Sequence, residues 1–219
     1  MGLSDLVEGA RLVGADVDAP SLERLERFVD LLVVWNRRFH LTGDRDRDVL
    51  IRKHVVDSLA VVPELPSSGV VIDLGSGAGF PGIVLGCSRP DLALRLIESR
   101  RRQASFLSEA IRTIPLPAAT ALAVRGEDLA SDPAVMGRAA LVVSRALRLD
   151  VVTRLAAPLL APAGELISMQ TPGTDEAIAR AKARPVGLDL LRVRDYRLPE
   201  GESRRLLVFG RAASKPTTY

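Results

Sequence analysis

The apolar positions of this chain follow two successive patterns. Leu25, Phe28, Leu32, Trp35 and Phe39 recur every three or four residues, with Arg24, Glu26, Arg27 and Asp30 between them. That spacing predicts one apolar face of an α-helix. Ser21 has the chemistry of its N-cap, and Glu23 in the first turn complements the helix dipole. A second helix is predicted over 48–62, with Val49, Leu50, Val56, Leu59 and Ala60 on or near its buried side; Pro63 and Pro66 stop it. After about Ser67 the pattern changes. Val70-Val71-Ile72-Asp73-Leu74 is a short apolar run ending in glycines, as a buried strand does. Further strands are predicted at 92–98, 119–125, 140–144, 165–169, 188–196 and 204–210. Helices are predicted at 101–113, at 175–182, and from Val151, the last kinked by Pro158 and ended by Pro162 and Gly164. A turn around Pro199-Glu200-Gly201 makes the last two strands a hairpin. Strand–helix alternation predicts an α/β fold: a mostly parallel, doubly wound sheet of seven strands with right-handed crossovers and a terminal antiparallel hairpin. The expected organisation is a helical segment over 1–66 packed on one compact α/β unit over 67–219.

The sharpest motif is Asp73-Leu74-Gly75-Ser76-Gly77-Ala78-Gly79-Phe80-Pro81-Gly82, after the first strand and opening a helix. Its glycines permit a tight turn and close approach of a ligand to the backbone, and the helix start offers free N–H groups. Two cofactors compete for it. Gly77-x-Gly79-x-x-Gly82, with Glu98 19 residues past Gly79, matches a dinucleotide fingerprint. Asp73-x-Gly75-x-Gly77-x-Gly79 puts an acid at the strand end. That position is awkward beside a pyrophosphate but suits S-adenosylmethionine, whose sulfonium and ammonium are cationic. Glu98, ending the second strand, has the chemistry to accept the ribose hydroxyls of an adenosine. Gly126-Glu127-Asp128 follows the third strand at the same edge, where one acid or the backbone beside it bounds an adenine.

Composition narrows the reaction. The 219 residues contain one cysteine, Cys87, which excludes an internal disulfide framework and zinc sites built from several cysteines. A reducing cytoplasm is the expected compartment. The longest charge-free stretch, 74–88, is glycine-rich and broken by Pro81, so no membrane span is expected, and the N-terminal pattern lacks a signal peptide. Cysteine-dependent C5 methylation lacks its nucleophile, because Cys87 falls on the helix after the glycine loop and is expected to be packed and inert. Ser144-Arg145-Ala146-Leu147 replaces the Asn/Asp-Pro-Pro-aromatic loop used for methylating amino groups of bases. His40 and His54, the only histidines, form no metal cluster or triad. These absences favour an acceptor that is already nucleophilic. Guanine N7 is one: it carries no proton, so proximity and orientation suffice. Arginines number 27 (30 Lys+Arg less Lys53, Lys182 and Lys215) behind a net charge of only +3. Arg37, Arg38, Arg52 and Arg148, with Arg45, Arg47, Lys53 and Arg100 to Arg102, are candidate RNA contacts. A small-molecule methyltransferase and a nucleotide-binding module remain alternatives, and a monomer is the default.

The chain resembles the RsmG (GidB) family, the bacterial 16S ribosomal RNA guanine-N7 methyltransferases. The resemblance rests on Trp35-Asn36-Arg37-Arg38-Phe39-His40-Leu41-Thr42, His54-Val55-Val56-Asp57-Ser58-Leu59 and the 73–82 motif with Phe80-Pro81-Gly82. Gln103-x-x-Phe106-Leu107, Arg125-Gly126-Glu127 and Ser144-Arg145-Ala146 follow in order. It implies S-adenosylmethionine as cofactor and a guanine near the decoding site of 16S RNA or the 30S subunit as target. It also implies cofactor contacts at Gly75, Phe80, Gly126, Glu127 and Arg145, completed by Asp73, Gly77, Gly79 and Glu98. Arg145 and His54 are the expected catalytic residues. Arg145 is to meet a phosphate or the base O6, with a salt bridge to Asp73 or Glu127 as the competing reading. His54 and Asp57, at i and i+3, are expected to face each other. Two positions depart from the family pattern, His40 for asparagine and Gln170-Thr171 for lysine-glycine, and both bear on the acceptor side.

Overall fold

The computed structural model describes residues 3–212. A helix that the apolar spacing does not announce, α1 (Leu3–Leu12), precedes α2 (Ala19–Phe39). The N-cap of α2 is Asp18 rather than Ser21. Its carboxylate accepts the Ser21 N–H at 2.8 Å, and Pro20 occupies the first turn, where a backbone donor is not missed. Ser21 is buried instead. The expected helix over 48–62 is a composite run of α3 (Arg47–Val49), a π-helical stretch (Leu50–Val55) and α4 (Val56–Leu59). The wider π-helical turn re-aims the side chains that follow it, a device common at functional sites. Pro63 sits in a 3-10 turn beyond it.

Seven strands form one sheet: β1 (Val70–Leu74), β2 (Ala93–Ile97), β3 (Ala119–Leu122), β4 (Ala139–Ser144), β5 (Leu160–Gln170), β6 (Leu188–Arg197) and β7 (Ser203–Arg211), in the order β3-β2-β1-β4-β5-β7-β6. β1 to β5 pair in parallel, and β7 runs antiparallel between β5 and β6. The sheet is therefore the mixed, mostly parallel one expected. β3 ends at Leu122, short of the expected 125, and the boundary that differs most is the one ahead of β5. α8 (Leu149–Leu159) passes directly into β5, so Pro162 and Gly164 lie within a strand instead of ending the helix. The β4–β5 ladder slips there, between Ala139 and Leu141. A Cβ at Gly164 would stand 2.4 Å from the Ala139 carbonyl oxygen. The slip leaves Pro162 without a ladder donor to supply, and the close backbone approach requires glycine.

Alternate residues of each strand feed opposite cores. Val71, Leu94, Leu96, Val143 and Ile167 join Leu6, Leu25, Phe28, Leu32, Leu50 and Val55 in one cluster, so the helices before Ser67 and the sheet share a core. Ile72, Leu74, Val142, Leu166 and Phe209 pack on the other face against Leu129, Val152, Leu155 and Ala179. A side chain as fully buried as Phe28 contributes roughly 1.5–3 kcal/mol. β1 lies between β2 and β4, and from it the strand order runs outward in both directions. That reversal opens a crevice beyond the carboxyl ends of the strands. Among the described residues, no helix is long and apolar enough to cross a membrane.

Candidate active site

Past β1 the chain turns through Gly75, Gly77 and Gly79 with φ of 77°, 55° and 94°. Gly79 is also crowded: an added Cβ would stand 2.8 Å from Ile83 and 3.1 Å from the Phe28 ring. Gly82, which opens α5 (Gly82–Ser88), has no room for a different reason. Its N–H donates to Asp73 Oδ2 at 3.0 Å, and a Cβ there would stand 2.5 Å from that oxygen and 2.2 Å from Leu96. The first N–H of α5 is thus taken by Asp73 and is not free for a ligand. Asp73 is fully buried, and its other oxygen, Oδ1, has no hydrogen-bond partner among the described residues. Burial pushes its pKa up to about 7. Glu98 bridges the turn to the end of β2. Oε2 accepts the Gly77 N–H at 2.9 Å, and Oε1 accepts Arg100 N at 2.9 Å and Nε at 3.2 Å. Burial raises the pKa of Glu98, but the hydrogen bonds from Arg100 and Gly77 outweigh it and hold the group below its ordinary value, ionised at neutral pH.

Two cavities lie along this edge. The first, about 340 Å³, opens beyond β1 to β4 and is lined by Gly75, Glu98, Gly126 and Glu127 and by apolar Ile97, Val124, Leu147 and Leu155. Gly126, which opens α7 (Gly126–Ala130), keeps one wall close, because a Cβ there would meet Leu155 at 2.9 Å. The second, about 260 Å³, is lined by Lys53, His54 and Asp57, by Arg145 after β4, by Met169, Gln170 and Thr171 at the end of β5, and by Arg204 of β7. Arg145-Ala146-Leu147 separates them, with Arg145 on the second side and the other two on the first.

The Arg145 guanidinium lies 5.1 Å from the centre of the Phe80 ring, on which His54 also stacks at 5.2 Å. His54 does not pair with Asp57. Its Nε2 lies 2.7 Å from Asp44 Oδ2, because the helical run turns the imidazole towards the loop after α2. Burial and the nearby Arg145 charge hold its pKa below the ordinary value, so the ring is neutral at pH 7 and donates to Asp44. Asp57 instead accepts the Tyr196 hydroxyl at 2.6 Å and Arg145 Nη1 at 3.5 Å, and lies 3.8 Å from Arg204 Nε. The ion-pair partner of Arg145 is therefore neither Asp73 nor Glu127.

Of the expected cofactor residues, Gly75, Glu98, Gly126 and Glu127 line the first cavity. Asp73, Gly77, Gly79 and Phe80 form the turn and its packing, and Arg145 lines the second cavity with His54. Arg37 and Arg38 are exposed at the end of α2, where Arg38 and Arg102 each approach the Phe39 ring, at 5.2 and 5.7 Å. Arg148 is 81% exposed beside Asp150, and Arg52 pairs with Glu200 at 2.7 Å. Sequence reasoning missed Tyr196 and Arg204, which sit opposite each other in the β6–β7 ladder; no local motif marks them. His40 lines neither cavity. It caps α2 in the left-handed conformation (φ 53°, ψ 55°), a backbone that asparagine takes more easily. Cys87 is buried, and burial pushes its thiol up to about 12, so it is inert at neutral pH.

Residues 21–204 match the family described as rRNA small subunit methyltransferase G, GidB. The chain belongs to this family. Curated relatives called ribosomal RNA small subunit methyltransferase G agree along most of their length. The Geobacter sp. (strain M21) protein is 35% identical over 94% of this chain and 96% of its own, and the Anaeromyxobacter sp. (strain Fw109-5) protein is 38% identical over the same shares. The family is one of S-adenosylmethionine-dependent methyltransferases, and the fold agrees with theirs. The TehB-like SAM-dependent methyltransferase of Corynebacterium glutamicum superposes with a TM-score of 0.55 at 15% identity, over 86% of this chain and all of its own. M. jannaschii TYW2, solved in complex with AdoMet, gives 0.57 at 17% identity, over 73% and 76%.

Proposed function

We propose that this chain methylates N7 of a guanine in 16S ribosomal RNA near the decoding site, acting on the 30S subunit or its RNA. In this reading it is a cytoplasmic monomer, with the helical segment 1–66 packed on a methyltransferase domain over 67–219. The observation that carries the proposal is the pair of cavities meeting at Arg145-Ala146-Leu147, one largely apolar with Glu98 and Glu127 balanced by Arg100 and Arg125, the other with three cations, Lys53, Arg145 and Arg204, against Asp57. The first fits S-adenosylmethionine. Glu98 is an ionised acceptor for the ribose hydroxyls, Gly126 and Glu127 bound the adenine, and Asp73 carries an unmatched buried oxygen beside the glycine turn for the cationic amino-acid end. Gly75, Gly77, Gly79 and Phe80 shape that turn. Bound there, S-adenosylmethionine supplies a methyl group activated by its sulfonium.

The second cavity receives the base. Guanine N7 offers a free lone pair, so no residue has to remove a proton. The neutral His54, tied to Asp44, is a wall rather than a base. Arginine donors suit the guanine O6 and N7 edge. Since a hydrogen bond to N7 would occupy the attacking lone pair, Arg145 serves by donating to O6. Arg37, Arg38, Arg52 and Arg148 contribute phosphate contacts, so binding weakens with salt. The test is transfer of labelled methyl from S-adenosylmethionine to unmethylated 30S subunits, to naked 16S RNA, and to a control without RNA, followed by mapping of the modified base. Label at one guanine N7 is expected; none in either ribosomal substrate overturns the reading.

A further inference from the structure

Among the described residues, Asp57 is the only carboxylate lining the second cavity, which Lys53, Arg145 and Arg204 also line. It sits on α4 and is 5% exposed, while its partners come from distant parts of the chain. Arg145 follows β4, Tyr196 lies on β6 and Arg204 on β7. The Tyr196 hydroxyl donates to Oδ1 at 2.6 Å, which aims the carboxylate, and Arg145 Nη1 meets Oδ2 at 3.5 Å. The Arg145 guanidinium is thus held on one side by an anion and on another by the Phe80 ring. Among the described residues this hydrogen bond engages Nη1 alone, and a guanidinium has five N–H donors, so donors remain for a ligand. Two guanidiniums so close to one carboxylate would repel each other without it.

We propose that Asp57, fixed by Tyr196, is a positioning residue that orients Arg145 and Arg204 to receive the acceptor base. This inference rests on the functional reading above and adds how the acceptor cavity is preorganised. Asp57 touches neither donor nor reacting atoms; it acts through the arginines.

The test compares wild type, Asp57→Asn, Tyr196→Phe, Arg145→Lys and the Asp57→Asn/Arg145→Lys pair. For each, kcat/KM on 30S subunits, donor affinity by calorimetry and thermal melting are measured. Asp57→Asn is expected to lower kcat/KM about 10²-fold, as misplacement of a reacting partner does. Tyr196→Phe, which removes one hydrogen bond, lowers it roughly tenfold. Donor affinity stays within about twofold, since the first cavity is separate. In the Arg145→Lys background Asp57→Asn adds less than about threefold, because its effect passes through Arg145. Unchanged kcat/KM in Asp57→Asn, effects that multiply in the pair, or donor affinity falling in parallel overturns the inference. If Asp57→Asn does not fold, Tyr196→Phe decides: wild-type transfer in that variant also overturns it. Wild type that methylates no guanine N7 refutes the functional reading instead.

Discussion

The two cavities at the carboxyl edge of the sheet are built in opposite ways. The first is made largely of backbone and of residues that follow β1, β2, β3 and β4 in turn. Its key contacts are short in sequence: Asp73 to Gly82 spans nine residues, and Gly77 to Glu98 spans 21. The second is made of side chains from four separate stretches, three of them charged, and Asp57 reaches 88 residues to Arg145 and 139 to Tyr196. A site made of one turn and the strand ends beside it needs only local geometry and the sheet. A site made of remote side chains needs the whole fold, so its contents vary without touching the cofactor turn. The departure at Gln170, which lines only the second cavity, is such a variation.

Substitutions should separate the two cavities. The largest effect is expected from Asp73→Ala, which removes the acceptor of the Gly82 N–H and the unmatched oxygen together. Donor binding by calorimetry should vanish; unchanged affinity would mean that the donor is not held by this turn. Arg145→Ala should leave donor affinity near wild type while lowering methyl transfer to 30S subunits by about 10²–10³-fold, the usual loss when an oriented donor is removed. Equal losses in binding and transfer would join the two cavities into one site. The smallest effect belongs to the exposed rim. Arg37→Ala with Arg38→Ala should weaken RNA binding several-fold and reduce the salt slope by about one for each phosphate no longer neutralised. An unaltered slope would move the RNA path away from α2.

The same contrast governs what the sequence reveals. The glycine turn is legible because its constraints are consecutive: positive φ at Gly75, Gly77 and Gly79, and no space at Gly82. The mostly parallel sheet with its terminal hairpin follows from the alternation of elements. The partners of Asp57 are not legible, because Tyr196 and Arg204 reach it only once the antiparallel β6–β7 register is set. His54 and Asp57 have the spacing of a helical pair, but the π-helical stretch between Leu50 and Val55 hands them to different partners. Boundaries shift where two residues compete for one role, as Asp18 and Ser21 do for the cap of α2. They shift again where a ladder irregularity admits Pro162 to a strand.

The burial of Asp73 has a consequence for protons. A carboxyl whose folded pKa stands near 7, against an ordinary 3.8, adds stability that is full below the lower value and is lost as pH rises through the upper one. His54 has the opposite sign: its pKa is depressed from 6.5, so its contribution is present above that value and is lost as pH falls below it. Below pH 6.5 folding therefore tends to add a proton at the carboxyl and to remove one from the imidazole. For these two groups the changes in bound protons on folding have opposite signs, so their contributions to the pH dependence of stability oppose each other.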